Sequence, residues 1–346
     1  MKRLAAGLLL LPVAFASARE TVLFDTDSGL FGEDGAALVM LLRSPQQVTI
    51  PGLILGAGNV WPNQGAEYLF HILDLMKQPL LPVYIGSETP LLHNAAMARE
   101  ENRRWGGIEY NGAFGLTPGE VKPAPGTHLT GRKARREGLE FLISEIERHA
   151  GEVTILETGP MTNVALALRL RPDIETKIRR IVFMGGALKA PGNASAAAEF
   201  NFWFDPEAAR IVLRSRIPEK VMFGLDICNL AVIRKAEFDE VAAAQTPIAA
   251  LYREDLGNRY PGFNVHPDGK SYLWESLAAA WLLDPGFVTK SEWQDLDVLT
   301  AWGRFYGSTV ALDRRTAPEA TPVTVMQQLD FKRVFGLYKD LLTRRN

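Results

Sequence analysis

The amino-acid sequence predicts an α/β fold, with an open, mostly parallel, Rossmann-like sheet and helices on both faces. Two observations lead to this prediction. Short runs of continuously apolar residues alternate with longer amphipathic runs through most of the chain. Strands buried on both faces are apolar throughout, and an alternation of strands and helices is typical of parallel sheets. At 346 residues and 47% hydrophobic content, the chain is long enough for one large domain of this kind.

The individual elements follow from this alternation. The predicted strands are the apolar runs without helical periodicity, which are residues 21–24, 48–55, 83–85, 153–157, 178–184 and 221–225. The predicted helices have amphipathic spacing, and they are residues 35–43, 65–76, 136–149, 164–170 and 206–215. Asp205 followed by Pro206 is a typical helix start, because aspartate caps helix N-termini and proline suits the first turn.

Residues 1–18 differ from the rest of the chain and predict a cleaved secretion signal. Lys2 and Arg3 precede an apolar run, which ends in an Ala-Ser-Ala stretch. This order is typical of signal peptides, and the apolar run is too short to span a bilayer. We expect cleavage after Ala18 and a single mature domain of residues 19–346, periplasmic or secreted, without membrane contact. A membrane anchor is the alternative.

Composition excludes some classes of partner. The net charge is −2, and so the chain lacks the basic balance that is usual in nucleic-acid-binding domains. Cys228 is the only cysteine, which means that no disulfide can form within the chain. We therefore expect stability to come from the apolar core.

Residues 253–272 have no hydrophobic periodicity and are rich in glycine, proline and asparagine. A long loop inside a compact domain is usually a lid or a binding loop. The segment also contains aromatic residues and His266, and we therefore predict a lid over the site. A surface excursion without function is the alternative.

Polar residues follow five of the predicted strands at the point where each strand ends. They are Asp25, Asp27 and residues 57–59, 158–163, 184–186 and 226. In open α/β sheets, ligands bind outside the carboxyl ends of the strands. We therefore expect the site at this edge of the sheet.

The stretch FDTDSGLFGEDG allows three interpretations. Its carboxylates suit a hard cation such as calcium or magnesium, and the chain has no His/Cys set at zinc spacing. Alternatively, Asp25 and Asp27 form a phosphoryl-transfer motif with Asp25 as the nucleophile, although Gly29 stands where Thr or Val is common. The third interpretation is an acidic surface turn. An apolar helix follows directly, and a buried carboxylate needs a cation or hydrogen-bond donors.

Six segments occur in an order that resembles the inosine-uridine nucleoside hydrolase family. They are DTDSG…EDGAAL, AGNV, TGPMTNVALAL, MGGAL…PGN, AEFNFWFDPEAA and WESLAAAWLLDP, and together they span roughly residues 22–285. The resemblance implies a single α/β domain that hydrolyses the N-glycosidic bond of nucleosides with bound Ca²⁺. It also implies a homodimer or homotetramer.

The resemblance implies roles for individual residues. The implied calcium ligands are Asp27, Asp34, the backbone carbonyl of Thr162 and Glu275. Asp27 would also take the proton from the attacking water. The implied substrate-binding residues are Glu33, Asn59, Met184, Asn193, Glu199 and Asn201. In this interpretation, Asp25 shapes the loop and does not hold the metal.

The sequence departs from the family pattern at three places. The acidic loop is two residues longer than the commonest form, and Glu33 and Glu275 stand where the family usually has aspartate. Many members carry a histidine beside the last ligand, whereas this chain has Trp274. Purine-specific relatives stack the leaving base between aromatic rings, and we predict the same catalytic role for Trp274, with Trp105 as the second ring.

These observations predict a hydrolase of purine ribonucleosides. Two candidates for a leaving-group acid within the predicted lid, His266 and Tyr260, stay open. A calcium-dependent periplasmic binder of nucleosides or sugars is an alternative function, although a binder does not need a base such as Asp27. A hydrolase of another N-ribosyl compound is a further alternative, because its mechanism would be the same.

Overall fold

A sheet of ten strands forms the centre of the structure, a computed structural model that describes residues 19–259 and 262–345. The predicted secretion signal and Tyr260 lie outside the described residues. In chain order, the described strands are β1 (Glu20–Thr26), β2 (Val48–Thr49), β3 (Leu53–Leu55), β4 (Val83–Ile85), β5 (Val153–Glu157), β6 (Ile178–Met184), β7 (Glu219–Phe223), β8 (Val232–Ile233), β9 (Ser271–Tyr272), β10 (Val288–Val298), β11 (Thr309–Ala311) and β12 (Thr321–Leu329).

The order of the strands places a crevice between β1 and β5. The sheet runs β11-β10-β12-β7-β6-β5-β1-β3-β4, with β2 paired to β1. From β1 the chain proceeds outward through β3 and β4, and then returns to build β5, β6 and β7 on the other side. All these strands are parallel, and their order reverses between β1 and β5. Such a reversal is where open α/β sheets bind ligands.

Helices cover both faces of the sheet, which confirms the predicted fold class. The described α-helices are α1 (Gly32–Leu42), α2 (Pro62–Leu75), α3 (Ala95–Trp105), α4 (Gly138–Arg148), α5 (Thr162–Leu170), α6 (Phe200–Phe204), α7 (Pro206–Leu213), α8 (Leu225–Cys228), α9 (Lys235–Ala242), α10 (Pro247–Glu254), α11 (Trp274–Leu283) and α12 (Phe331–Thr343). One apolar cluster joins α1, α2, α11 and α12 to the sheet, and another joins α4, α5 and α7. Across the described ranges, no helix has the length and apolar character needed to cross a membrane.

Two predicted segments have a different organisation in the structure, and other predicted elements shift by up to three residues at their ends. The single strand predicted over residues 48–55 is wrong, because β2 and β3 are separated around Pro51, which has no backbone N–H for a ladder. The aperiodic loop predicted over 253–272 is also wrong at both ends. Residues up to Glu254 belong to α10, a π-helical turn follows over Asp255–Arg259, and β9 pairs with β8. A lid role for the segment between them stays a prediction.

The carboxyl-terminal part of the sheet was not predicted from the sequence. β10 pairs antiparallel with β12 and β11, whereas β12 is parallel to β7. The first eight residues of β10 are half-buried or exposed, and Trp293 among them is 71% exposed. Such a strand lacks the continuous apolar run that marks the central strands.

Candidate active site

Carboxylates from three elements come together in the crevice beyond the ends of β1 and β5. Asp27 follows β1, Glu33 and Asp34 lie in the first turn of α1, and Glu275 is the second residue of α11. Asp27 is fully buried, and Asp34 and Glu275 are 3% and 7% exposed. α1 begins three residues earlier than predicted, and so both acidic residues of EDG belong to the helix and are fixed by it.

The backbone encloses Asp27 closely. The Asn59 backbone N–H donates to its Oδ2 at 2.7 Å, and the Asn59 side-chain amide donates to its Oδ1 at 3.2 Å. A Cβ atom on Gly58 would lie 1.9 Å from Oδ2, and one on Gly159 would lie 2.9 Å from the Asp27 Cβ. The glycines of the AGNV and TGPMTN segments therefore leave room for this carboxylate.

Asp34 is held by three donors from three different strand ends. Thr26 and Thr158 hydroxyls each donate to its Oδ1 at 2.7 Å, and the Asn59 amide donates to its Oδ2 at 3.3 Å. Thr26 is the last residue of β1 and Thr158 follows β5. The Asp34 carboxylate therefore links the ends of these two strands across the crevice. A single amide, that of Asn59, therefore bridges Asp27 and Asp34.

The electrostatics of the cluster are unfavourable for the charged forms. Burial, and next the charge of Asp34, raises the pKa of Asp27 well above its usual range. Burial raises the pKa of Asp34 to about 6, although hydrogen bonds from Thr158 and Thr26 lower it. Burial raises the pKa of Glu33 to about 8, and burial with repulsion from Asp34 raises that of Glu275 strongly. In residues 19–259 and 262–345, none of the four has an ion-pair partner (the ion pairs of this part of the chain lie elsewhere).

The donor set fits a hard cation in its chemistry. It consists of carboxylate oxygens without imidazole or thiolate, which is the preference of calcium and magnesium. Among the described residues, however, no three His, Cys, Asp or Glu side chains are arranged closely enough to enclose one ion. The Thr162 side chain donates to Asp205 at 2.6 Å, so only its backbone carbonyl is left for the predicted role. The structure thus places Asp27, Asp34 and Glu275 in one region without a closed shell of ligands.

The residues predicted to line the ribose pocket are also brought to this edge, where they hold one another. Glu199 caps α6 by accepting from the Asn201 and Phe202 backbone N–H groups, and it also accepts from Gly186 at 2.9 Å. The Asn201 amide donates to the carbonyls of Met184 and Thr158, at 3.1 and 3.3 Å. These contacts connect the ends of β5 and β6.

Asn193 has a different setting from the other predicted pocket residues. Its side chain is exposed, and its Oδ1 accepts from the Phe200 backbone N–H at 2.8 Å. This hydrogen bond joins the loop after β6 to the start of α6, directly beside Glu199. Asn193 therefore shapes the loop that carries Glu199.

Trp274 stacks on a ring that the sequence analysis did not single out. Its ring centroid lies 5.2 Å from that of Tyr272 with an 18° interplanar angle, and its buried Nε1–H has no acceptor among the described residues. Trp105, predicted as the second ring against the leaving base, packs against Trp302 at 5.4 Å, and its role at the base stays a prediction. The structure therefore pairs Trp274 with Tyr272.

None of the described histidines forms an ion pair with a carboxylate of the candidate site. His266 is exposed, and it has no hydrogen bond or ion pair with Asp27, Glu33, Asp34 or Glu275. Tyr260, the other predicted candidate for a leaving-group acid, lies outside the described residues.

The sequence analysis missed Ser271 and Tyr110, and it placed Thr158 at this edge without giving it a role. Thr158 holds Asp34, Ser271 donates to Glu33 at 3.3 Å, and the Tyr110 hydroxyl donates to the Asn59 Oδ1 at 2.8 Å. Thr158 begins the TGPMTN segment, and so its position directly after a strand was an available signal. Ser271 and Tyr110 come from distant segments whose approach depends on the folded chain.

Comparisons with known proteins identify the family of the chain. The family described as "Inosine-uridine preferring nucleoside hydrolase" matches residues 22–336. A relative from Salmonella enteritidis PT4 (strain P125109), "Pyrimidine-specific ribonucleoside hydrolase RihA", is 36% identical over 280 residues, which are 79% of this chain and 82% of the relative. The RihA protein of Salmonella typhi is 36% identical over 278 residues, with the same coverage of both chains.

Solved structures show the same fold. The "Purine-Preferring Ribonucleoside Hydrolase from Gardnerella vaginalis" superposes with a TM-score of 0.76 at 26% identity, over 94% of this chain and 98% of that one. A plant nucleoside hydrolase, PpNRh1, also has a TM-score of 0.76, at 23% identity, with 94% and 99% of the two chains covered. The second likeness bears on the fold alone. Taken with the matched family and the carboxylate crevice, these similarities show that the chain belongs to the inosine-uridine preferring nucleoside hydrolase family and is a hydrolase of N-glycosyl bonds.

Proposed function

We propose that this chain is a calcium-dependent enzyme that hydrolyses ribonucleosides to ribose and free base, and that it prefers purine nucleosides. The observation that carries the proposal is the joint burial of Asp27, Asp34 and Glu275 without an ion-pair partner in the described part of the chain. Buried carboxylates without such partners are costly, and a bound cation offsets that cost. Oxygen ligands of this kind suit calcium, which is the ion implied by the family resemblance.

The proposed ligands are Asp27, Asp34, Glu275 and the backbone carbonyl of Thr162. The bound ion would supply positive charge that orients water and the hydroxyl groups of ribose. Thr26 and Thr158 fix the Asp34 carboxylate by hydrogen bonds, and supporting residues of this kind are important for metal affinity.

Asp27 is the proposed general base. Burial raises its pKa, and a carboxylate with a raised pKa accepts a proton more readily. The water oxygen forms a bond to the anomeric carbon of ribose. The bond between this carbon and the nucleobase nitrogen breaks, and its electron pair leaves with the nucleobase. Asp27 takes the proton of the water. The charge of Glu199, which lies within electrostatic reach of Asp27, stabilises the positive sugar that develops.

The sugar hydroxyls are proposed to meet Glu33 and Asn59, with Met184 and Asn201 beside them. Glu33 is held by the Ser271 hydroxyl, and this contact sets the reach of its longer side chain. Asn193, and Glu199 in addition to its charge, contribute through the loop that they shape, where their oxygens accept backbone N–H groups.

The preference for purines is proposed from Trp274. The indole ring stacks on Tyr272 with ring centroids 5.2 Å apart, and this pair would offer an aromatic surface to a bound base. A larger base offers a larger stacking surface, and aromatic contacts of this type are worth about 1 kcal/mol beyond simple burial.

Pyrimidine nucleosides are the second candidate substrates. The relatives with 36% identity carry the name pyrimidine-specific ribonucleoside hydrolase, whereas the solved structure with 26% identity carries the name purine-preferring. The higher identity favours pyrimidines, and the Trp274–Tyr272 pair favours purines.

A ribose-release assay tests the proposal. The purified mature chain, residues 19–346, is incubated with inosine, guanosine, adenosine, uridine and cytidine, in Ca²⁺ and after chelation. We expect calcium-dependent release that is fastest from the purine nucleosides. Faster release from uridine and cytidine would replace the purine preference by the second candidate.

Two other outcomes would change the proposal more deeply. Release that survives chelation would remove calcium from the mechanism. Calcium binding without release from any nucleoside would favour a periplasmic binding protein or a hydrolase of another N-ribosyl compound. Glu33 is the first residue to examine in that case, because it replaces the usual aspartate.

Export and assembly are part of the proposal. We expect the expressed full chain to appear in the periplasm or medium with Arg19 as its first residue, which N-terminal sequencing would detect. We expect light scattering to report a dimer or a tetramer.

A further inference from the structure

The segment around Tyr110 docks directly on the turn that carries Asn59. The Ala113 backbone N–H donates to the Gly58 carbonyl at 2.7 Å. Gly112 has a φ of +52°, and a Cβ atom on it would lie 2.4 Å from the same carbonyl. Only glycine permits both this backbone conformation and this close approach. The position of Tyr110 over the crevice is therefore determined by the backbone.

Tyr110 has a packed ring and an engaged hydroxyl. The ring lies 5.0 Å from that of Phe200, the residue after Glu199. The hydroxyl donates to the Asn59 Oδ1 at 2.8 Å. The side chain is half exposed, and a tyrosine hydroxyl keeps its proton at neutral pH, so it acts as the donor in this hydrogen bond.

The Asn59 amide has two orientations of almost the same shape, and its neighbours choose between them. In the observed orientation, the amide nitrogen donates to Asp27 at 3.2 Å and to Asp34 at 3.3 Å, while the oxygen accepts from Tyr110. The reverse orientation would place the amide oxygen against two carboxylates.

The two influences on the amide differ in their dependence on charge. The attraction of Asp27 and Asp34 for the amide N–H groups weakens when a cation or a proton neutralises these carboxylates. The hydrogen bond from Tyr110 does not depend on their charge. It is thus the contact that can hold Asn59 when the carboxylates are engaged with a ligand.

We propose that Tyr110 is a positioning residue that fixes the side-chain amide of Asn59 against Asp27 and Asp34. The inference rests on the proposed function, because it assigns Tyr110 to that same site. Tyr110 acts through Asn59 and leaves the reacting atoms to other groups.

A double-mutant cycle in the full mature chain tests this assignment. Tyr110→Phe keeps the ring and removes the hydroxyl, and we expect kcat for the best nucleoside to fall about fivefold, the size of one hydrogen bond. In an Asn59→Ala background, the same change should have no further effect, because the partner is gone. Equal effects in both backgrounds, or no effect in either, would overturn the proposal. Tyr84→Phe, at the far edge of the sheet, is the matched control and should leave kcat unchanged.

A second measurement does not depend on turnover. In the protein labelled with ¹⁵N-asparagine, the NMR signal of the Asn59 side-chain amide is identified as the one that is absent from the Asn59→Ala spectrum. The hydrogen exchange of this amide with solvent is then measured with and without Ca²⁺. We expect several-fold faster exchange in Tyr110→Phe, with the larger increase in Ca²⁺. Unchanged exchange would refute the inference even in an active enzyme. Faster exchange in a chain that hydrolyses no nucleoside would refute the proposed function alone.

Discussion

Asp25 and Glu157 face each other on neighbouring strands, paired in the register of β1 and β5. Both side chains are buried. Asp25 Oδ2 and Glu157 Oε2 each have no hydrogen-bond donor among the described residues. Burial raises the pKa of Asp25 to about 7, and burial with the charge of Asp25 raises that of Glu157 well above its usual range. The raised pKa of Glu157 favours its protonated form, whose hydroxyl would be a donor for Asp25. We therefore expect a shared proton between the two carboxyl groups at the base of the crevice.

The first prediction concerns Glu157→Gln. The folded wild type holds a proton that the unfolded chain releases above about pH 4.5, so its stability falls as the pH rises through the raised pKa. Glutamine mimics the protonated form and avoids this loss. We expect similar stabilities at pH 5 and a more stable variant at pH 8, by about 1 to 3 kcal/mol in urea unfolding. Glu140→Gln, on an exposed face of α4, is the control. A stability difference between Glu157→Gln and the wild type that is the same at both pH values would contradict the shared proton.

The second prediction concerns calcium and pH together. The raised pKa values of Asp34, Glu199 and Glu33, at about 6, 7 and 8, mean that the chelated protein loses stability as the pH rises from about 4 to 8. Calcium binds the ionised form, so it should raise the melting temperature more at pH 8 than at pH 5. At a concentration of a thousand times its Kd, the gain corresponds to about 4 kcal/mol. Melting curves across this range, with and without chelator, provide the measurement. An equal calcium effect at both pH values would argue against carboxylate ligands.

The third prediction concerns Thr158→Val. Its hydroxyl holds the Asp34 carboxylate at 2.7 Å, and valine keeps the shape while it removes the donor. Loss of a supporting hydrogen bond of this kind typically weakens metal binding about 10- to 100-fold. Calorimetric titration with Ca²⁺ should show this loss. Thr154→Val on the same strand is the matched control, since its hydroxyl bonds Glu20 away from the crevice and its loss should leave calcium affinity unchanged.

The central strands and the location of the site were predictable from the sequence for one physical reason. β4, β5 and β6 have the predicted bounds, because strands buried on both faces are continuous apolar runs with polar residues directly after them. Asp27 was located in the same way, whereas the role of Asp34, which lies in α1, was implied by the family resemblance. β10 was missed because it lies near an edge of the sheet and carries charged residues and the exposed Trp293.

Other features depend on which segments become neighbours, and no local pattern reports that. Tyr110 and Asn59 are 51 positions apart, and Glu33 and Ser271 are 238 apart. The setting of Trp105 was not predictable for the same reason, because the direction of an aromatic side chain near a predicted site is defined only in the folded chain. In the folded chain, the Trp105 ring packs against Trp302. Trp274 stacks on Tyr272, which lies only two positions before it in the sequence.

The fourth prediction concerns Gly58→Ala. A Cβ atom there would lie 1.9 Å from the Asp27 Oδ2, which no ordinary adjustment of a fully buried carboxylate relieves. We expect Asp27 to be displaced and turnover to fall at least 100-fold, the usual worth of a positioned general base. The ribose-release assay measures the fall. Gly336→Ala in α12, where a Cβ meets open space, should keep full activity, and equal activities of the two variants would contradict the enclosure of Asp27.

The last prediction concerns Trp274. If its ring activates the leaving base by stacking, Trp274→Ala should reduce kcat on inosine by far more than it raises KM, and should affect uridine less. Removing a large packed ring also destabilises the fold by about 3 to 5 kcal/mol, so Trp274→Phe, which keeps a ring, is measured beside it and should retain intermediate turnover. Trp293→Ala, on the exposed face of β10, is the control for the loss of an indole. Unchanged turnover on inosine in a folded Trp274→Ala protein would refute stacking. Equal losses of kcat on inosine and uridine would mean that Trp274 only lines the pocket. The preference for one nucleobase would then depend on other residues.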